Sequence, residues 1–303
     1  MPSTQSNNHN VTIGVTGGSG RLGEYVVNEL LSNNYKVRVL DLTAPKEQTN
    51  VSYKHCDVLD LKSLKSAIEG VDGLIHLAAL DFDFASSVTD EKFIEVNTLG
   101  TWNVLQTAEQ VGVERVVICS SISACGLSEA NPNFAPEFLP VDETHPLYPV
   151  QPYSISKLIM EEMAQSFVRR GNLAVLSLRP MMVLIPSNIE PTVERAEDLE
   201  TRWLFYYISP EDCARAFRLA YEAKDVKSGE FFITATDSCR VEDTLDWYER
   251  AWGSLPKYDA EHYKNNPRAS IFNGEKAKKL LGFEATSNWI EITKAHKKTA
   301  ETI

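Results

Sequence analysis

Tyr153 and Lys157 stand four positions apart in the segment PYSISK. Residues at positions i and i+4 of a helix lie on one face, so the two side chains can interact. A free tyrosine has a pKa of about 10 and is a weak base at neutral pH. A neighbouring ammonium favours the phenolate, and the pair therefore predicts a tyrosine that transfers a proton. Such pairs also occur by chance on exposed helices.

Three glycines, Gly17, Gly20 and Gly23, recur in TGGSGRLG between a predicted strand and a predicted helix. Glycine permits a tight turn and lets backbone N–H groups approach a pyrophosphate at a helix N-terminus. The alternative is a flexible turn that binds nothing. The position between the first strand and the first helix favours a dinucleotide.

Two aspartates follow the next strands. Asp41 ends the second strand, where a carboxylate accepts hydrogen bonds from ribose hydroxyls and repels a 2′-phosphate. Residues 42–44 contain no Arg or Lys, so the sequence predicts NAD rather than NADP. Asp57, after the short strand in VSYKHCD, could bond the adenine amino group or simply form a turn.

Ser121 lies just past another apolar run, in CSSISACG, where its hydroxyl could bond a substrate oxygen. Ser120 and Ser123 are neighbours, and serines are frequent in loops. The six histidines form no H-x-x-x-H pattern and the five cysteines no C-x-x-C pair, so no metal site is predicted.

Strands and helices alternate along the first half of the chain, which predicts an α/β fold with a Rossmann-type, doubly wound parallel sheet. The predicted strands are 11–16, 36–40, 73–77, 115–119, 173–178 and 230–234, and the predicted helices 21–31, 61–69, 90–111, 154–169 and 210–223. Residues 126–152, rich in proline, are expected to form a loop, and 186–200 loop with a little helix. We expect a flexible tail (1–10), a dinucleotide-binding domain (11–180) and a small substrate-binding region (181–303) whose chain crosses back into the core.

The composition is that of an ordinary globular protein. The chain has 303 residues, 43% of them hydrophobic, and a net charge of −12. An acidic balance disfavours nucleic-acid binding, and no apolar run reaches membrane-spanning length. The polar first ten residues lack the apolar stretch of a signal peptide. With an odd number of scattered cysteines, a reduced cytoplasmic protein is expected.

The motifs together resemble those of the extended short-chain dehydrogenases/reductases of the NAD-dependent epimerase/dehydratase family. The matching pieces are TGGSGRLG, Asp41, HCDVLD, HLAA, Asn97, CSSISACG, PYSISK, LRP, YISPEDCARAF and KAKKLLGFEAT. This resemblance implies NAD as cofactor and Ser121, Tyr153 and Lys157 as the catalytic residues. It implies cofactor contacts from Gly17, Gly20, Arg21, Leu22, Gly23, Asp41, Asp57, Val58, Leu77, Ala78, Ala79, Asn97, Tyr153 and Lys157. It also implies a homodimer paired through helices 90–111 and 154–169.

The chain departs from the family pattern around the substrate. Ala124-Cys125-Gly126 replaces the usual V-Y-G, which puts the tyrosine's substrate contacts in doubt. Only residues 181–206 separate LRP from the YISPED segment, whereas members acting on nucleotide sugars have a long insertion there. The shortening resembles uronate dehydrogenases, although those have Asn-His where this chain has Ile122-Ser123. Substrate contacts are then implied for Ser121, Ser123, Tyr153 and Arg202, with Arg202 either binding a carboxylate or pairing with Glu200.

We therefore expect an NAD-dependent oxidoreductase that oxidises a hydroxyl or hemiacetal of a small sugar, sugar acid or polyol. The alternative is a sugar or nucleotide-sugar epimerase, such as a UDP-glucose 4-epimerase-like enzyme, that keeps its NAD bound. A non-catalytic NAD-binding regulator is disfavoured, because a sensor has no need of Ser121, Tyr153 and Lys157. In each case the partner is a small molecule, and neither nucleic acid nor a membrane is expected.

Overall fold

The computed structural model describes residues 8–46, 50–81, 88–129, 134–199 and 201–300, the last four without their side chains. The strands are β1 (Thr12–Thr16), β2 (Lys36–Asp41), β3 (Ser52–His55), β4 (Gly73–His76), β5 (Arg115–Cys119), β6 (Phe138–Leu139), β7 (Ala174–Pro180), β8 (Ser228–Ile233) and β9 (Lys257–Tyr258). The helices are α1 (Arg21–Ser32), α2 (Leu61–Ile68), α3 (Asp90–Phe93), α4 (Gly100–Val111), α5 (Pro152–Arg169), α6 (Ile189–Glu197), α7 (Pro210–Glu222), α8 (Thr244–Trp252), α9 (Ala260–Asn265), α10 (Glu275–Leu281) and α11 (Trp289–Ala300).

Seven strands form one sheet in the order β3-β2-β1-β4-β5-β7-β8. The ladders that join β3, β2, β1, β4 and β5 are all parallel, with Thr16 level with both Leu40 and His76. The strand order reverses between β1 and β4, the kind of switch point where α/β sheets bind ligands beyond the carboxyl ends of their strands. The predicted Rossmann-type fold class is confirmed.

The central strands are apolar because both faces of the sheet are covered. Every residue of β4 and β7 is buried. On one face, side chains from α2, α4 and α5 form a single cluster with the strands, including Leu64, Leu105 and Phe167. Burial on two faces selects continuous apolar runs over alternation, which is why these strands were visible in the sequence.

The chain divides into two compact units. The first consists of Met1–Cys119, Ile159–Ser177 and Phe217–Gly229, and the second of Ser120–Leu158, Leu178–Ala216 and Glu230–Ile303. The chain passes from one unit to the other within α5, β7, α7 and β8. The expected boundary at residue 180 between a dinucleotide-binding domain and a substrate-binding region stays a prediction. Of the expected flexible tail, residues 8–10 form a 3₁₀ turn and residues 1–7 lie outside the described part.

Local elements differ from the predictions in three places. The predicted helix 90–111 contains a π-helical stretch, Ile94–Leu99, between α3 and α4. Residues 186–200 include a full helix, α6. The loop before α5 carries β6, which pairs in parallel with β9. Two-residue strands are too short to show any periodicity, so this pairing had no sequence signal.

Candidate functional site

The glycine-rich turn links β1 to α1 in the first unit. Gly17 has a φ of 70°, and a Cβ there would lie 2.7 Å from the backbone nitrogen of Ala78. A Cβ on Gly23 would lie 2.2 Å from the carbonyl oxygen of Gly17. Gly20 is the N-cap of α1 and, lacking a side chain, makes no side-chain hydrogen bond to the first N–H groups of the helix. This is the arrangement in which a helix N-terminus receives an anion such as a pyrophosphate.

Asp41 ends β2 with both carboxylate oxygens held by backbone groups. Oδ2 accepts the N–H of Ser19 at 3.0 Å, and Oδ1 accepts the N–H of Thr43 at 3.1 Å. The Ser19 hydroxyl donates to the Thr43 carbonyl at 2.7 Å, which ties the two loops together. A carboxylate oxygen accepts more than one bond, so Asp41 keeps capacity for ribose hydroxyls. Ser19 was missed in the sequence because its contribution is a backbone N–H.

Asp57 and Val58 lie between β3 and α2. The Asp57 carboxylate accepts the N–H of Leu59 at 2.9 Å, which is the turn role left open by the sequence. An adenine contact by Asp57 stays a prediction. Val58 is buried, its carbonyl accepts a bond from the Asn103 amide at 3.0 Å, and a Cβ on Gly100 would lie 2.7 Å from its Cγ2.

The segment after β4 is clamped by Asn97. Leu77, Ala78 and Ala79 are partly exposed there. The fully buried Asn97 side chain accepts the N–H of Leu80 at 2.8 Å and donates to its carbonyl at 3.0 Å. Asn97 therefore fixes the loop that carries the predicted cofactor contacts. Its position in the π-helical stretch was not visible in the sequence.

Arg21 and Leu22 begin α1. The Arg21 guanidinium is exposed and pairs with Asp81 at 2.6 Å, while Leu22 is partly buried. Residues 82–87 lie outside the described residues, as do 130–133 and 200.

Ser121 belongs to the second unit and stands in extended backbone before a 3₁₀ turn, Ile122–Cys125. The residue is 9% exposed, and its Oγ accepts the N–H of Ser123 at 3.1 Å. Since a hydroxyl has one proton and two acceptor positions, Ser121 can still donate to a substrate oxygen. Ser123 itself is buried, and its Oγ accepts a bond from Ser128 at 3.0 Å.

Gly126 closes this turn with a φ of 79°. A Cβ there would lie 2.3 Å from the carbonyl oxygen of Tyr148, and the Tyr148 N–H donates to the Cys125 carbonyl at 3.1 Å. The close approach leaves no room for any side chain at position 126, so the loop before α5 is seated against the serine turn.

Tyr153 and Lys157 lie in the first two turns of α5, which begins at Pro152. The Lys157 Nζ lies 5.5 Å from the centroid of the Tyr153 ring. Lys157 is 2% exposed, whereas Tyr153 is partly exposed. The helical spacing thus places a buried lysine beside an accessible phenol.

Arg202 is exposed, and its guanidinium lies 5.6 Å from the Trp252 ring centroid. Its carboxylate-binding role stays a prediction, and the alternative partner Glu200 lies outside the described residues. The following five residues, 203–207, are all buried. Among them Phe205 has a φ of 50°, a costly backbone conformation for an aromatic residue, and its ring packs 4.7 Å from that of Trp247.

Asp212 anchors the start of α7, in the SPED segment. The carboxylate is 2% exposed and accepts the N–H groups of Thr286 and Ser287 at 3.0 and 2.9 Å. It also accepts bonds from the Thr286 hydroxyl and the Arg215 guanidinium. Burial raises the pKa of Asp212, but these bonds outweigh it and hold the pKa below its usual value.

The two units thus carry different chemistry. The first has a glycine cradle that a Cβ would fill and a carboxylate set for ribose, which fits the adenosine and pyrophosphate parts of NAD. The second has a serine, a tyrosine and a buried lysine, which suit proton transfer at a hydroxyl. The described residues contain no cluster of side chains suited to a metal ion. Among them, no helix is long and apolar enough to cross a membrane.

Comparison with known proteins shows relatives that share this fold and these motifs. The family model described as "NAD dependent epimerase/dehydratase family" matches residues 13–233. A short-chain dehydrogenase/reductase superfamily protein from Agrobacterium tumefaciens, solved with bound NAD, has a TM-score of 0.74 and 22% identity, covering 96% of this chain and 97% of that one. A likeness at this identity shows the shared fold.

Curated relatives differ in their named reactions. A UDP-glucose 4-epimerase of Halalkalibacterium halodurans is 26% identical and covers 93% of each chain. An L-arabinose 1-dehydrogenase (NAD(P)(+)) of Haloferax volcanii is 28% identical over 70% of this chain and 82% of that protein. The 3 beta-hydroxysteroid dehydrogenase/Delta 5-->4-isomerase of vaccinia virus (strain Ankara) is 31% identical over 54% of this chain.

The chain spans only 46% of the length of that viral protein. The names of the relatives therefore vary in reaction and substrate, whereas the family match extends from β1 to the end of β8. With the motifs, the seven-stranded sheet and the glycine cradle in agreement, the chain belongs to the NAD-dependent epimerase/dehydratase family of extended short-chain dehydrogenases/reductases, whose cofactor is NAD.

Proposed function

We propose that this chain is an NAD-dependent dehydrogenase that oxidises a hydroxyl or hemiacetal of a small sugar, sugar acid or polyol. The short segment between β7 and α7 is the observation that carries this choice. Its described part holds one nine-residue helix, α6, followed by the buried aromatic residues of 203–207. A segment so short and so packed offers no extended arm to hold a nucleoside diphosphate, which favours a small substrate.

Ser121, Tyr153 and Lys157 account for the proton chemistry. The Ser121 hydroxyl donates to the substrate oxygen, and the Tyr153 phenolate takes the hydroxyl proton as the carbonyl forms. Lys157 favours that phenolate through its positive charge. When bound, NAD supplies the acceptor for the hydride that leaves the carbinol carbon. Gly17, Gly23 and Asp41 would hold its adenosine and pyrophosphate parts.

A second candidate is an epimerase, in which the hydride and the proton both return to the carbonyl group, so that NAD stays bound in its oxidised form and the same residues move the proton in both directions. The full-length match to a protein named UDP-glucose 4-epimerase favours it. The two candidates share the catalytic residues and differ in whether reduced cofactor accumulates.

We further propose a homodimer that acts in the cytoplasm. Its interface would be a groove of about 630 Å³ in the first unit, lined by Ile94, Leu99, Trp102 and Met163 with acidic residues at the rim. Leu99 is 48% exposed and lies beside Ile94 and Trp102 in this groove, and contiguous apolar surface of this kind marks interaction sites. The five cysteines are all free thiols, which is compatible with a reducing compartment.

The deciding experiment records NAD⁺ reduction at 340 nm with a panel of uronic acids, aldoses and polyols. We expect turnover with one class and a 10²- to 10⁴-fold lower kcat for Tyr153→Phe, roughly the contribution of general acid–base catalysis. Tyr148→Phe is the matched control, since that phenol lies on the surface beside Glu137 and should leave kcat unchanged.

The outcomes separate the candidates. If the wild-type chain forms reduced cofactor and Tyr153→Phe does not, the dehydrogenase is supported. If the wild-type chain prefers uronates and Arg202→Ala abolishes that preference, the carboxylate-binding role of Arg202 is supported. Absence of net reduction, together with NAD that copurifies and sugars that isomerise, establishes the epimerase instead. Equal activity in Tyr153→Phe and Tyr148→Phe would contradict both.

A further inference from the structure

A buried histidine of the HLAA motif links three elements of the first unit. His76, the last residue of β4, is 1% exposed. Its Nδ1 lies 2.6 Å from the hydroxyl of Thr16 at the end of β1, and its Nε2 lies 2.9 Å from the hydroxyl of Thr101 in α4. The imidazole therefore bridges two neighbouring strands and a helix.

The hydrogen-bond pattern fixes the direction of these contacts. Thr101 donates its one hydroxyl proton to the Asn97 carbonyl at 2.6 Å, so it must accept from His76, and Nε2 carries a proton. In the neutral ring Nδ1 is then an acceptor, to which the Thr16 hydroxyl donates a hydrogen bond. The Thr16 oxygen in turn receives the N–H of Ala78 at 3.4 Å.

Each end of this chain of bonds touches the proposed cofactor residues. Thr16 directly precedes Gly17, and its carbonyl accepts the N–H of Leu77 at 3.0 Å. Thr101 holds the carbonyl of Asn97, whose side chain clamps Leu80. The glycine turn and the loop after β4 approach so closely that a Cβ on Gly17 would lie 2.7 Å from Ala78 N. A small change in the spacing of these two loops would displace the residues offered to the dinucleotide.

We propose that His76 is a positioning residue for NAD, acting through Thr16 and Thr101 to hold the glycine turn and the loop after β4 at their binding separation. It makes no contact with the cofactor in this role. The inference rests on NAD binding, which is part of the proposed function, and it assigns a task to a histidine that the catalytic chemistry does not use.

The test compares Thr101→Val with Thr101→Ser, because valine matches threonine in shape and serine keeps the hydroxyl. NAD dissociation constants are measured by titration calorimetry, which needs no turnover. Thr101→Val should raise the Kd roughly tenfold, since it leaves the buried Nε2–H unpaired and lets the loops shift. Thr101→Ser should return the Kd to within about twofold of wild type. His76→Asn, which keeps an acceptor near Thr16 but reaches less far toward Thr101, should resemble Thr101→Val and replaces it if that variant does not fold.

A merely structural role gives a different result. If Thr101→Val lowers the melting temperature but binds NAD with the wild-type Kd, the positioning role is overturned. A Kd that rises equally in Thr101→Ser and Thr101→Val also overturns it, because the hydroxyl then does not matter. Failure of the wild-type chain to bind NAD at all would refute the proposed function itself, and that outcome is recognised before any variant is made.

Discussion

Replacing Gly17 by alanine separates backbone conformation from close approach in the glycine turn. Gly17 and Gly70 have nearly the same φ, 70° and 77°. A Cβ on Gly70 would meet no atom within 4 Å, whereas on Gly17 it would lie 2.7 Å from Ala78 N and 2.9 Å from Ala78 Cα. Both variants force alanine into the left-handed region, but only one drives it against neighbouring backbone.

The expected magnitudes follow from this contrast. Gly70→Ala should lower the free energy of unfolding by about 1–2 kcal/mol, the cost of the left-handed conformation for an L-residue. Gly17→Ala should carry the same cost and lower the free energy of unfolding by roughly 1–3 kcal/mol more, because its Cβ overpacks against the backbone of Ala78. Backbone atoms cannot rotate away as a side chain would. Because Gly17 lies in the predicted phosphate-binding turn, its variant should also weaken NAD binding, while Gly70→Ala should not.

Urea unfolding followed by circular dichroism gives the two free energies, and titration calorimetry gives NAD affinity. Gly20→Ala serves as a second control within the turn, since a Cβ there would meet only the Gly17 carbonyl, at 3.1 Å. A Gly17→Ala variant that loses no more free energy of unfolding than Gly70→Ala would contradict this expectation. That result would mean that the loop after β4 moves freely.

Two further changes test the second unit and the proposed interface. Asp212→Asn should lower the free energy of unfolding by about 1.5–3 kcal/mol at pH 7, because it weakens the charge-assisted bonds that the buried carboxylate accepts, whereas the exposed neighbour Glu211→Gln should change it by less than about 0.5 kcal/mol. Since the folded pKa of Asp212 is lowered, this stabilisation is present above the unfolded pKa and disappears as the pH falls through the folded one. Denaturation at pH 7 and pH 3 checks this, and a loss of equal size at both values would contradict it. Leu99→Glu should halve the mass measured by light scattering, while Leu42→Glu, 58% exposed but outside the groove, should not, and an unchanged mass in both would argue against this interface.

Features that depend on neighbours in the chain were predictable. Three such features are the glycine turn, the carboxylate at the end of β2 and the i, i+4 spacing of Tyr153 and Lys157. Each depends only on residues a few positions apart, and in the structure each lies in the predicted element. The alternation of strands and helices likewise predicted the sheet, because the sheet is buried on both faces.

Features that depend on partners distant in the sequence could not be predicted. The sequence marked Asn97 as a motif residue, but its bonds to Leu80 are made from a π-helical stretch that had no sequence signal. The backbone N–H of Ser19 and the surroundings of Arg202 are set by loops whose sequences carry no period. The sequence led us to expect that the chain crosses back into the core, but it carried no signal for the elements in which the crossings occur, since strands β7 and β8 look alike whether or not the chain changes unit within them.

That crossing of the chain has a consequence for how the protein is made on the ribosome. Synthesis proceeds from the N-terminus, and a contiguous domain can fold as soon as its last residue emerges. Here the first unit needs Phe217–Gly229, which emerges only after about half of the second unit has been translated. The nascent sheet must therefore wait for β7 and β8 with the edge of β5 unpaired. Slow translation between Cys119 and Ala174 would prolong that exposure, and a truncated product ending near residue 180 would retain a free sheet edge, the surface through which unfinished α/β chains aggregate.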